Sequence, residues 1–253
     1  MIDAGSITVV LDAYRPERAA LLDLLGGLGA EEWGRPTECP AYTVKGIATH
    51  VLGDDLSLLS RQRDAAEEGT TLLAAELPDA GLGDRLDVFN DRWVAAAAFL
   101  STDLLMELLR LAGEWTADFY ARVDPEAPGE PVGLFGVTSG TSPFWHAIAR
   151  EYMERWTHHS QIRRAVGLGS LADEPFLRVG VEVAAAAARV EPDAPTAPGG
   201  AWGLGPLGLG GSQQAADLLT RAHSAAEVQG LVSGPPAFVE LFAAAAGRRV
   251  DER

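Results

Sequence analysis

Apolar positions recur along most of this chain at helical spacing. In residues 6–28, Leu11, Ala19, Leu22, Leu25 and Leu28 supply most of one apolar face. Pro16 interrupts it, so the helix either kinks there or starts near Arg15 with Pro16 at its first position. Glu31 to Cys39 reads as a connector, with Trp33 as a packing anchor. Thr43 is a good N-cap for a second helix that runs to about Ala66, with Val44, Ile47, Val51 and Leu58 as its apolar stripe. The polar stretch from there to Asp84, with Pro78, Gly81 and Gly83, reads as a loop. Arg85 to Phe99 and Thr102 to Arg122 predict a third and a fourth helix. Asp124 to Ser142 is too rich in Pro and Gly to be one regular element.

The stretch from Phe144 through Val166 has no Pro or Gly and is rich in helix formers. Beyond Gly169 the character changes. Pro175 to Val190 predicts an Ala-rich helix, and Glu191 to Gly211 a Pro/Gly loop. Ala216 to Ala222 and Val228 to Val232 read as strands, and Pro235 to Ala246 as a closing helix. The fold class expected is mainly α: a four-helix bundle over residues 1–170 and a small α/β, or α, extension over residues 171–253. The run from Gly203 to Gly208 spells GxGxxG, but Pro206 sits inside it and no strand–helix context surrounds it, so it is rejected as a dinucleotide site.

Chemistry concentrates on two of the predicted helices. Glu154 and His158 stand four apart and share one face, with Glu151 on the same face. A carboxylate and an imidazole held this way can supply two ligands to a divalent metal. A surface Glu–His pair is the alternative, and a third residue is needed to decide. His50 borders the apolar stripe of the second helix and has Asp54 four residues on. Its alternative is a core histidine bonded to a neighbouring helix. Inward polar residues on two long helices are how bundles build metal sites. Two His and one Glu leave an open position on a zinc-like ion, as catalytic sites do.

Composition narrows the classes. At 253 residues the chain can bury a substantial core. A net charge of -16, with no basic stripe, argues against nucleic acid and against an anionic membrane. Cys39 is the single cysteine, so no intramolecular disulfide can form, and no basic-then-apolar leader opens the chain. A cytoplasmic protein acting on a small molecule, as monomer or homodimer, is expected.

Trp33, Pro36-Thr37, Cys39-Pro40, Tyr42-Thr43-Val44-Lys45 and His50 resemble the opening signature of the mycothiol-dependent maleylpyruvate isomerase family, within the DinB-like superfamily. Glu151 to Gly167, with Glu-x-x-x-His followed by Ile162-Arg163, resembles its later metal helix. The resemblance covers residues 5 to 170 and implies a DinB-like four-helix bundle. It implies His50, Glu154 and His158 as metal ligands, and mycothiol as a thiol cosubstrate bound through its sulfur. Tyr42 and Trp145 would stand near that cosubstrate, and Arg248, from the small C-terminal domain, would reach the site, with Arg221 a distant alternative. Phe135, Ser139 and Thr141 are further pocket candidates. The chain departs from the family pattern at Ala41-Tyr42, where Gly-Trp is usual, and at Gln161, where Asp is common. The reaction implied is isomerisation or S-transfer on a small electrophile. A thiol-independent metal hydrolase or lyase, and a non-enzymatic metal-binding bundle, are the other readings.

Overall fold

The computed structural model describes residues 2–130, 132–133, 136–137, 141–197 and 199–247. Helix α1, Thr8–Gly26, continues through Pro16, which lies on its exposed side. There the carbonyl that loses its amide partner faces water. A short turn, α2 (Ala30–Trp33), buries Trp33 in the core. Thr43 caps α3 (Val44–Leu58) by accepting from the Gly46 amide at 3.2 Å, and the predicted stripe of Val44, Ile47, Val51 and Leu58 is buried. The last turns of this element differ from expectation: Leu59–Arg63 is π-helical. The stretch read as loop up to Asp84 also differs. It contains α4 (Glu68–Glu76) and the start of α5 (Leu82–Ala97). Its Leu72-Leu73-Ala74-Ala75 run favours helix over the loop that the flanking polar residues suggested.

Ser101 caps α6 (Thr102–Tyr120), accepting from the Leu104 amide at 3.2 Å, and α7 spans Phe144–Ala165. Helices α1, α3, α6 and α7 form the expected four-helix bundle, while α5 lies outside it against α3 and carries α4. Two glycines on α3 set what covers that helix. A Cβ at Gly53 would stand 2.8 Å from the Trp93 ring of α5, and one at Gly46 would stand 3.1 Å from Tyr42. Lys45 fixes the far end of α5 by donating to the Ala98 and Leu100 carbonyls at 2.8 and 2.7 Å.

After α7 the chain forms α8 (Glu174–Ala188), which packs on α1 and α7. Gly180 allows the approach, since a Cβ there would stand 2.4 Å from the Trp156 ring. The two expected strands are helices: α9 is Ser212–Leu219 and α10 is Ala225–Leu231. Ser224 and Glu227 form a reciprocal capping box that starts α10, a local signal stronger than the β-branched Val228 and Val232. Strands lie instead within the stretch read as loop.

Strands β1 (Val132–Gly133) and β2 (Gly136–Val137) pair antiparallel. A separate antiparallel sheet has β4 (Trp202–Leu204) between β3 (Pro192–Asp193) and β5 (Leu207–Gly210). The GxGxxG run is its β4–β5 hairpin. Gly205, at φ +54, supplies the left-handed residue that a two-residue turn requires. Helix α11, Pro236–Ala246, packs on α10. The C-terminal extension is therefore α/β, and one apolar cluster runs from α1 and α7 into it.

Candidate metal centre

Helices α3 and α7 face each other across a small cleft lined by Val51, Asp54, Glu151, Glu154, Arg155 and His158. The i,i+4 repeat places His50 and Asp54 one turn apart on α3, and Glu154 and His158 one turn apart on α7. His50 Nε2 and His158 Nε2 point at each other at 3.0 Å. An Asp54 carboxylate oxygen lies 3.3 Å from His50 Nε2, and a Glu154 oxygen 3.7 Å from His158 Nε2. His50, Asp54 and His158 each offer a donor atom within 4.8 Å of the others.

These separations suit a shared ion. Donors about 2.0–2.1 Å from a tetrahedral zinc are about 3.3 Å from one another. Tautomers suit it too. Gln161 Oε1 lies 2.8 Å from His158 Nδ1 and, as an acceptor, keeps the proton there, leaving Nε2 with its lone pair. His50 Nδ1 is buried with no hydrogen-bond partner among the described residues. The Tyr42 ring stacks on His50, with centroids 5.9 Å apart and planes at 25°, and its hydroxyl donates to Asp91 of α5 at 3.0 Å. Burial, reinforced by Asp91, holds that phenol far above its ordinary pKa.

The electrostatics favour neutral imidazoles. Burial pushes the His50 pKa down against the pull of Glu154. Burial and then the facing His50 push His158 down, against Glu154 and Asp54. The two carboxyls diverge. Burial and then Glu151 raise Asp54 to about 7. At Glu154 burial is outweighed by His158, Arg221, Arg150 and His50, and the carboxyl falls below its usual value. Two neutral imidazoles and the Asp54 carboxyl are a donor set that a divalent cation would complete, ionising Asp54 beside the already ionised Glu154. The residues present therefore fit such an ion.

Asp54 was visible in the sequence only as a carboxylate four residues after His50. The structure brings it together with His50 and His158, whereas Glu154, expected as the third ligand, stands outside that trio at 3.7 Å from His158 Nε2. Trp145 lies edge-on to His146 with ring centroids 4.1 Å apart, packs against the core, and does not line the cleft. Thr141 is exposed. Phe135, Ser139 and Arg248 lie outside the described residues. Arg221 is the C-terminal arginine whose charge acts on Glu154, and it adopts the left-handed conformation at φ +59.

The family model described as the mycothiol maleylpyruvate isomerase N-terminal domain matches residues 14–163, well over half of the chain. No curated protein and no solved structure matches it. Among the described residues no helix is long and apolar enough to cross a membrane.

Proposed function

The chain belongs to the mycothiol maleylpyruvate isomerase N-terminal domain family, and on that premise we propose that it is a metal-dependent enzyme working with a low-molecular-weight thiol of the mycothiol type. The observation that carries the reading is the meeting of His50 and His158 through their Nε2 atoms, flanked by Asp54 and Glu154. His50, His158 and these carboxylates would hold the ion, with zinc the best match to a nitrogen/oxygen set. A bound divalent ion supplies one thing here, the lowering of a thiol's pKa into the neutral range.

The chain's own groups do the rest. Gln161 keeps the His158 proton on Nδ1, so that Nε2 stays a donor. Tyr42, tethered to Asp91, closes one side of His50. Arg150 and Arg155 hold Glu151 in the wall of the cleft. The thiolate sulfur then adds to one carbon of an activated carbon–carbon double bond in a small substrate, and the π pair moves onto the conjugated acceptor group. In an isomerisation the former double bond rotates and re-forms as the C–S bond breaks and the thiolate leaves; in an S-transfer the adduct takes up a proton and is the product.

Calorimetric titration of mycothiol into zinc-loaded protein, beside His158→Ala, tests the reading. Binding to the wild type that disappears in the variant is the expected result. Zinc binding without affinity for the thiol would sink it and leave a thiol-independent hydrolase or lyase. No zinc binding at all would remove both.

A further inference from the structure

Behind the cleft a charged network lies buried at the centre of the bundle. Asp55 is fully buried, accepting from Arg18 Nη2 at 2.8 Å on one oxygen and from the Arg155 guanidinium on the other. Thr116 Oγ1 of α6 lies 3.4 Å from that second oxygen. Arg155 Nη1 donates to the Glu151 carbonyl at 2.9 Å and to its carboxylate at 3.2 Å, and the Arg155 guanidinium lies 5.2 Å from the Tyr14 ring centroid. Arg18 Nη1 donates to the Leu109 carbonyl of α6 at 2.5 Å, where a Cβ on Gly113 would stand 2.8 Å from that nitrogen. Side chains of α1, α3, α6 and α7 thus meet around one carboxylate.

Such a network is a poor source of stability. Taking several charges out of water costs as much as their attraction returns, and apolar replacements of similar volume are often neutral or stabilising. Its place in the sequence points to another use. Asp55 follows Asp54 on α3, and Arg155 follows Glu154 on α7. Successive helical residues are fixed to each other by a rise of about 1.5 Å and a turn of about 100°. The Asp55–Arg155 bond therefore sets both the sliding and the rotation of α3 against α7, one residue from the candidate donors. A slip of one position would carry His158 away from His50 by that same rise and turn.

We infer that Asp55, with Arg18 and Arg155, is a positioning pin that sets the register of α3 on α7, so that the His50 and His158 nitrogens meet. The inference rests on the metal-site reading for what is positioned. It is tested with the volume-matched triple variant Arg18→Met, Asp55→Leu, Arg155→Met. Thermal unfolding and zinc affinity, the latter by competition with a chromophoric chelator, are read on the same samples. The expected result is a melting temperature at or above that of the wild type, with zinc bound about tenfold or more weakly, the scale seen when the supports of metal ligands are removed. A merely structural network would give the reverse pattern, lowered stability and unaltered affinity in the folded fraction.

A loss of zinc affinity below about threefold overturns the inference, and any larger loss upholds it. If the triple variant does not fold, Asp55→Asn, which keeps the shape of the side chain, is held to the same threshold. A wild-type chain that binds no zinc takes the metal-site reading down as well. Tight binding by wild type and variant alike removes the pin alone.

Discussion

His158 is usable as a donor because of what lies behind it. With its Nδ1 proton held by Gln161 at 2.8 Å, the ring presents a lone pair toward His50 and cannot turn away. Gln161→Leu keeps the bulk and removes the acceptor, and zinc affinity should fall about 10–100-fold in chelator competition. An affinity equal to that of the wild type would mean that packing alone orients the ring. At this scale the sequence was informative where two donors share one helix face. The Glu154–His158 and His50–Asp54 spacings are both readable, and Gln161 was marked only by the family resemblance, at a position where Asp is common. What sequence cannot supply is the choice among carboxylates. Asp54, four residues from His50, looks like any solvated helix acid until α7 is laid against it. Arg221 was harder still, because the α9–α10 junction that holds it, with its left-handed residue, lies in a stretch the sequence did not resolve into helices.

Helix α7 carries the site on one face and the hydrophobic core on the others, so its packing is constrained all round. Trp156 is fully buried, its indole Nε1 donates to the Leu171 carbonyl at 2.9 Å, and α8 rests on it through Gly180. Gly180→Ala forces a methyl into contact with that ring. Overpacking of this kind costs about 1–3 kcal/mol, which for a chain of this size is a fall of roughly 2–4 °C in melting temperature per kcal/mol. An unchanged melting temperature would show that α8 can slide away. Long helices such as α1, α3, α6 and α7 were legible because their apolar spacing repeats over four or more turns. The short elements after residue 170 were not. A segment of five to seven residues with apolar and polar positions mixed fits a strand or a helix face equally well. The deciding signal for α10, the Ser224–Glu227 box, lies just ahead of the segment and outweighs it.

Across the whole molecule, Arg164 ties three distant parts together. It grips the Glu38 carboxylate of the loop leading to Tyr42, donates to Thr220 Oγ1 at 2.9 Å and to the Thr220 carbonyl at 3.1 Å, and also bonds Ser170. Ser170 in turn donates to Asp217 of α9 at 2.6 Å. Arg164 stands immediately after the last residue of the family match, so this knot joins the matched region to the rest of the chain. Arg164→Gln strips a half-buried carboxylate of its fork, and a loss of about 2–5 kcal/mol is expected. Limited proteolysis should then cut within residues 166–173 faster than in the wild type. Equal rates would show that apolar contacts alone hold the two parts together. A sequence reading can see that character changes near Gly169, but an ion pair between residues 38 and 164 leaves no local trace.

The indole seated on Gly53 gives the protein an optical witness. Trp93 rests one residue from Asp54 and one turn from His50. A paramagnetic guest such as cobalt would quench its emission. The glycine that lets α5 lie close thus also makes occupancy of the centre visible by fluorescence, without a label.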